Sequence, residues 1–503
     1  MAGLKQMAGV GFLAVACGST AFLAHDARAR GTVVIGSQTT GPTPFIKYIN
    51  ASLGGSPLAS VAFGILPKPG SFTDPVIARY QANYLAARGY LTSTSITVPV
   101  FGLYSGSNNI IGLFFLFADG SQAEAEVPVS TASYTDPCRP LNAPLLQQHR
   151  QAGSDLNFSY FLLKDYCSPN SPAIFDTDGN LRWVATAKVA SEPAAVYNNG
   201  IYTSNGRTGV NRIELYGAVT RIGDYAAKYG VTSTHSHNFD VGRDGIVLDV
   251  DTNKEIEAVS LEIDGTTGKV LNQWDLGQII SAAMVAGGDK PDQFVLSFPA
   301  DWFHMNATTY NSADNTLIVS SRENFVIAVD YDTPPDGVKK IHWILGDVTK
   351  NWNKFSSLKR FALQLAPGTL PPIGQHSVSI DDKGNLLLFD DGLGSLLQSP
   401  AGTTRQYSAV RSYQIDTAAM TAKAAFTYTP RPDIYSRICG SVYESAPGNY
   451  LVDFATAKDG RTLEIQGLGN LNQVVFDLQF SQLNRCGAGW NALPILSQPI
   501  DFR

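Results

Sequence analysis

Charge is scarce in this chain. Asp, Glu, Lys and Arg make up 16% of its 503 residues and the net charge is −6. No basic run stands out, which argues against a nucleic-acid partner. Histidine is scarcer still, at seven residues, and one of them, His25, lies near the N-terminus. There are five cysteines and no C-x-x-C, which argues against a zinc ribbon. The apolar stretch Met7 to Phe22 is short and broken by Cys17-Gly18-Ser19-Thr20, which weighs against a retained membrane helix. With Lys5 before it and Ala27-Arg28-Ala29 after it, the stretch reads as a secretory signal over residues 1–30. Ala14-Val15-Ala16-Cys17 is a poor lipobox, so a lipid anchor at Cys17 is the alternative. Export leaves Cys138, Cys167, Cys439 and Cys486. Pairing between sequence neighbours is expected, Cys138 with Cys167 and Cys439 with Cys486, with buried free thiols as the other reading.

Glycine (46), Phe (25) and Tyr (21) are plentiful, which suits strands joined by tight turns. Residues 31–133 read as a small β-sandwich with strands at 95–101, 109–117 and 123–129. Residues 134–155 read as a Pro-rich connector, helix-like from Leu145 to Arg150. Beyond it a unit recurs: a strand ending in Asp, a Gly turn, and a strand ending in an aromatic. Phe175 to Trp183, Ile263 to Trp274, Val329 to Trp343 and Ile415 to Phe426 show it; Ile213 to Ile222 and Ile465 to Phe476 are weaker copies. A second hairpin type alternates with it at Asp240 to Leu248, Asn311 to Val319 and Asp381 to Phe389. Two hairpins per unit make four strands, and about six such units predict a β-propeller over 156–503. The fold class is therefore all-β, a six-bladed propeller preceded by a β-sandwich.

His237, His304 and His376 each lie a few residues before a turn of the second hairpin type. They are 67 and 72 residues apart and so belong to different blades. Equivalent positions on different blades converge on a propeller axis. Arg322 ends the strand that partners the one after His304. Asn306 lies two residues beyond His304, and His235 two before His237, each on the same side of an extended segment. Three imidazoles, a guanidinium and an amide, with no carboxylate in the same motifs, describe a donor-rich pocket for a sulfate or phosphate ester. Phosphoryl transfer usually recruits a metal through carboxylates, so a sulfuryl group fits better, with His376 as nucleophile. A three-histidine zinc site is the rival. Asp301 and Asp381 read as turn residues. His149 and His342 fall outside the pattern.

Thr234-His235-Ser236-His237-Asn238-Phe239-Asp240, Asp301-Trp302-Phe303-His304-Met305-Asn306, Ser320-Ser321-Arg322, Trp343-Ile344-Leu345-Gly346 and Gly374-Gln375-His376 together resemble the bacterial arylsulfate sulfotransferase family. Gly55-Ser56-Pro57-Leu58-Ala59 and Ile96-Thr97-Val98-Pro99 resemble that family's N-terminal sandwich. The resemblance implies a periplasmic enzyme that moves a sulfuryl group from an aryl sulfate donor to a phenolic acceptor, with no cofactor and no nucleotide donor. It implies that His376 is transiently sulfated, that His237, His304 and Arg322 hold the sulfate and assist the oxygens, and that Asn306 is a supporting donor. Many relatives show adjacent histidines in the first motif, whereas here Ser236 separates His235 from His237, so which of the two faces the sulfate stays open. A homodimer is allowed. The insert Lys354 to Leu370 is expected at the acceptor entrance. A hydrolase with the same pocket, a non-catalytic binding propeller and a quinone-type dehydrogenase are the other readings. The last lacks the expected acidic calcium site.

Overall fold

The computed structural model describes residues 30–136, 138, 141–154, 156–164, 167–189, 191, 193–481 and 489–503. The expected signal, Cys17 and Cys486 lie outside these. No helix of the described residues is long and apolar enough to cross a membrane. The chain forms two compact units, 1–134 with 497–503, and 135–496.

The first unit holds two sheets. Thr32–Thr40, Ile46–Gly54 and Ser95–Phe101 form one. The other runs Ile500–Phe502, Val76–Gln81, Leu58–Ile65, Asn108–Phe117, Gln122–Ser130. They meet through Phe63 and Phe101, edge to face at 5.2 Å, and through the Tyr80 hydroxyl donating to the Pro99 carbonyl. The last residues of the chain were expected in the propeller. Instead Ile500–Phe502 pairs in parallel with Val76–Gln81, and Phe502 stacks on Tyr80 at 4.7 Å. A penultimate aromatic, with no turn signal around it, gives no hint of so distant a partner.

Among the described residues, the second unit contains six antiparallel sheets of four core strands. Sheets two to six are each built from consecutive strands, with innermost strands Ala194–Tyr197, Phe239–Val241, Met305–Asn311, His376–Ile380 and Ser441–Ala446. The first sheet takes Phe158–Lys164, Ala173–Asp176 and Leu181–Val184 from its start and Asn491–Leu496, its innermost strand, from its end. That strand closes the ring. Successive inner strands lie side by side from Ala194–Tyr197 through to Asn491–Leu496. This is a propeller, with the N-terminal ends of the inner strands gathered near the axis.

Both halves of the recurring unit have a physical role. The Asp is an Asx cap on its hairpin turn: Asp264 Oδ1 accepts the amides of Thr266 and Thr267, Asp381 Oδ1 those of Lys383 and Asn385, and Asp416 Oδ1 those of Ala418 and Ala419. The terminal aromatic locks one sheet onto the next. Trp183 Nε1 donates to the Leu215 carbonyl at 2.8 Å, and Trp274 Nε1 to that of Asp330 at 3.0 Å. Phe426 stacks on Tyr450 of the sixth sheet, and Phe480 meets Phe175 of the first. Burying such a ring supplies about 1.5–3 kcal/mol.

The segment Leu145–Gln148, expected to be helix-like, is a strand on the outer edge of the sixth sheet, paired with Gln473–Ser481. Its alternating exposure is that of an edge strand; the connector range 134–155 therefore includes part of a blade. Within the insert, Gln364–Leu365 pairs in parallel with Thr421–Tyr428, at the opposite edge of the fifth sheet from His376. The helix Leu276–Ala286, capped by Asp275, is an addition that the strand pattern did not announce. Cys138 and Cys167 form a disulfide, as expected.

Trp274→Ala removes a fully buried ring and orphans the Asp330 carbonyl. The expected cost is about 3–5 kcal/mol, read as a lower urea midpoint. A change under about 1 kcal/mol would mean that the lock between the sheets is not structural.

Candidate active site

His237 lies two residues before an inner strand, His304 immediately before one and His376 begins one, so the ring gathers them. The rings of His237 and His304 are 4.7 Å apart, edge to face, and those of His237 and His376 are 6.4 Å apart. Trp490 occupies the same position before Asn491–Leu496, with its indole 5.7 Å from His237. It was missed because its strand completes the first sheet from the far end of the chain.

His376 is fully buried. Its Nδ1 lies 3.0 Å from the Gly374 carbonyl and 3.1 Å from Asp391 Oδ2. A carbonyl only accepts, so Nδ1 carries the proton and, in the neutral ring, Nε2 carries the lone pair. That Nε2 is buried and has no hydrogen-bond partner. Burial lowers the His376 pKa, against the pull of Asp391, and keeps the ring neutral. Burial raises the Asp391 carboxyl, opposed by His376 and Arg322.

The backbone is shaped for this pose. Gly374 has φ +63°, and a Cβ there would meet the Leu393 carbonyl oxygen at 2.6 Å, so only glycine fits. Ser377 has φ +46° within an irregularity of the strand pairing between His376 and Ser379. Gln375 ties the segment to the fourth sheet: its amide donates to the Ser321 carbonyl, and its own carbonyl accepts from Asn306 Nδ2 at 2.8 Å and Ser320 Oγ at 3.2 Å. Asn306, expected to donate to the ligand, thus gives its amide to the backbone just before His376, and its Oδ1 is unpartnered.

Arg322 is buried just after Thr316–Ser321. Its Nη1 pairs with Glu323 at 2.6 Å, while Nε and Nη2 have no partner. Glu323 is held in turn by the Ser395 hydroxyl and by the amides of Leu396 and Leu397. Lys350, buried with its pKa lowered by desolvation to about 8, donates to the carbonyls of Arg322 and Glu323. The Arg322 charge acts on both His376 and Asp391. An uncommitted pair of buried guanidinium N–H groups is a costly arrangement unless an anion meets it.

The expectation of a pocket without carboxylates is corrected. Glu257 bridges two imidazoles, Oε1 to His237 Nδ1 at 3.0 Å and Oε2 to His304 Nδ1 at 2.8 Å. Asp301, read from the sequence as a turn residue, bonds His304 Nδ1 directly. Asp381 does cap a turn. Burial works against the His304 cation, but Glu257 and Asp301 outweigh it and raise its pKa well above the ordinary value. Burial likewise opposes the Glu257 anion, yet His237 and His304 drive its carboxyl well below the usual range. Two further acids stand behind: Asp249, bonded to Ser236 and raised well above the usual range by burial and Glu257, and Asp251, raised to about 6 by the same causes. The donor atoms of His237, Glu257 and His304 lie within 4.8 Å of one another, a set able to hold a cation. The same atoms are engaged in the bonds just described, and the third member is Glu257 rather than the His376 of a three-histidine site.

His235 is half-buried, with its amide on Ser233 Oγ and its Nδ1 unpartnered; burial lowers its pKa. The ring contacts to His304 and His376 belong to His237. His342 pairs with Asp330 on the surface.

One signal for the missing acids was present. Asp391 follows Leu386–Asp390 just as Arg322 follows Thr316–Ser321, at the same corner of successive blades.

Asp391→Asn removes the charge that raises the His376 pKa. An NMR titration of the imidazole is therefore expected to move to still lower pH. A titration at or above its original position would mean that Asp391 is not the charged partner.

The arylsulfotransferase (ASST) family model matches residues 147–490. Arylsulfate sulfotransferase AssT of Escherichia coli O6:H1 is 27% identical over 266 residues, 48% of this chain and 43% of that protein. AssT of Lelliottia amnigena is 24% identical over 267 residues, 42% of each. The chain thus matches less than half the length of these relatives. Among solved structures, apo AztD from Citrobacter koseri aligns with TM-score 0.28 and 9% identity over 87% of this chain and 98% of its own. A Cps50 (Swd1) β-propeller domain from Myceliophteria thermophila aligns with TM-score 0.29 and 8% identity over 75% and 94%. With the family model spanning every site residue described above, the chain belongs to the arylsulfotransferase family.

Proposed function

We propose that this protein transfers a sulfuryl group from an aryl sulfate to a phenol in two steps through His376. The observation that carries this reading is the state of His376: buried, neutral, with Nδ1–H spent on Gly374 and Asp391 and the Nε2 lone pair unused. A neutral imidazole in that state is a competent nucleophile. The sulfate oxygens meet the free N–H groups of Arg322, with His304 as a fixed cation beside them. A monoanionic sulfuryl group needs no metal to balance it.

In the first step His376 Nε2 attacks sulfur, the N–S bond forms, and the S–O(aryl) bond breaks with its electron pair going to the phenol oxygen. In the second step a new phenol oxygen attacks sulfur and the N–S pair returns to Nε2. The Asp391 charge offsets the positive charge that develops on His376 in the sulfated form. His237, next to both other rings, handles the proton of the leaving and entering oxygens. The walls around His376 keep water from the intermediate, which separates transfer from hydrolysis.

The same reading places the protein outside the cytoplasm, in the periplasm. A disulfide between Cys138 and Cys167 persists in an oxidising compartment, and the N-terminal segment has the composition of an export signal.

Intact-mass spectrometry after brief mixing with 4-nitrophenyl sulfate and no acceptor tests the covalent step. Wild type is expected to gain one sulfuryl group and lose it on addition of phenol; His376→Ala is expected to gain none. Catalytic release of nitrophenol without an acceptor would make the protein a hydrolase. An adduct in His376→Ala would remove His376 as the nucleophile.

The pH profile of sulfuryl uptake follows from the two imidazoles. His376 must be neutral, and burial holds its pKa below the ordinary 6.5, so the rate is expected to fall only as pH drops below that value. His304 must be charged, and its pKa is raised well above 6.5, so the rate is expected to hold through neutrality and fall on the alkaline side. An acid limb centred above 6.5 would contradict the assignment of His376.

A further inference from the structure

We propose that Glu257 is a positioning residue that enables the site to use aryl sulfates whose phenols are poor leaving groups. The inference rests on the sulfuryl-transfer reading above and concerns a residue outside every motif that pointed to it.

The geometry is specific. One carboxylate meets two imidazoles, through a hydrogen bond from His237 Nδ1 to Oε1 at 3.0 Å and an ion pair of Oε2 with His304 Nδ1 at 2.8 Å, the latter nitrogen also bonding Asp301, and the rings lie edge to face. An ionised carboxylate only accepts, so both Nδ1 atoms carry protons and any further ring proton sits on Nε2. The backbone of Glu257 is fixed as firmly as its side chain. Its amide donates to Asp251 Oδ1 at 3.1 Å, and its carbonyl accepts from Met305, the residue after His304, at 2.9 Å. Its φ is +46°, a left-handed conformation that is strained for a glutamate. That strain is maintained by bonds from both neighbouring strands, and what it achieves is the bridge. Ser236 Oγ lies 3.4 Å from Oε1 and bonds Asp249 at 2.6 Å, so the carboxylate is oriented from behind as well.

The chemistry follows from charge. When the S–O(aryl) bond breaks, its electron pair goes to oxygen. A nitrophenolate is stable as it leaves. A more basic phenolate needs a proton, and the proton comes from Nε2–H of the Glu257-held pair, His237 being the member beside His376. In the return step the entering phenol gives its proton to the same nitrogen as its oxygen attacks sulfur, so the pair ends as it began. The negative charge of Glu257, with Asp301 beside it, holds this proton on the pair before the first step and draws it back in the second. Glu257 touches neither sulfur nor oxygen; it acts through the two rings.

Glu257→Gln keeps the shape and removes the charge. The experiment measures sulfuryl uptake in wild type and Glu257→Gln along a series from 4-nitrophenyl sulfate to phenyl sulfate and 4-methylphenyl sulfate. The variant is expected to lose no more than about tenfold with the nitrophenyl donor, and about a hundredfold or more with the other two, on the scale of one general acid. The plot of log rate against phenol acidity therefore steepens. Glu257→Asp, which restores the charge, is expected to recover part of the loss with the basic phenols. An equal loss across the series would overturn the proposal and leave Glu257 a structural brace. So would an unchanged slope. A mass gain on His376 with the nitrophenyl donor shows that the variant is folded. If wild type itself gives no adduct with any donor, it is the sulfuryl-transfer reading that fails. If Glu257→Gln gives none while wild type does, the loss is not selective and the proposal falls alone.

Discussion

The proton shared by His376 Nδ1, the Gly374 carbonyl and Asp391 is the constraint on which the site depends. It decides which ring nitrogen is free, and it does so inside the protein, where a wrong tautomer could not be corrected by water. Much of the surrounding structure can be read as support for it. Gly374 takes a conformation that only glycine tolerates there, with the Leu393 carbonyl against it. Gln375 is clamped to the strands that carry Asn306 and Arg322. Ser377 absorbs the resulting irregularity in the strand. The position of one nitrogen thus draws on two blades at once.

Charge around the site is balanced rather than merely positive. Each of the three imidazoles has an acid behind its Nδ1: Asp391 for His376, Glu257 for His237, and Glu257 with Asp301 for His304. Arg322 has Glu323. Each of these groups is therefore held from the rear, and Arg322 keeps Nε and Nη2 without a partner. Such pairs are costly to bury, and three left-handed non-glycine residues, Glu257, His304 and Ser377, add backbone strain at the same place. The inter-sheet packing pays for this. Its buried aromatics, Trp183 and Trp274 among them, join one sheet to the next.

The propeller makes this possible from short segments. Each blade brings two corners to the axis: the start of its innermost strand and the end of the next. The first corner supplies His237, His304, His376 and Trp490; the second supplies Arg322 and Asp391. Acids in the intervening loops complete the set. Residues far apart in the chain then meet without any long loop having to be ordered.

The sequence by itself determined the repeat, and through it the all-β fold, because an Asx-capped turn and an aromatic lock are local devices that recur along the chain. It also marked His237, His304, His376 and Arg322, since each histidine lies a few residues before a turn of the second hairpin type and Arg322 ends the strand that partners the one after His304. Only the tertiary structure decided what stands behind them. Glu257 lies in an irregular loop with no offset to recognise, and Asp301 looks like any acid beside a turn. Asp391 is written as the second of two adjacent acids, Asp390 and Asp391, of which Asp390 pairs with Arg405 and Arg411 instead. Trp490 reaches the axis only because the end of the chain closes the first sheet. Hydrogen-bond partners of this kind are set by the distance between blades, which no stretch of sequence encodes alone, and so the histidines were legible while the charges that tune them were not.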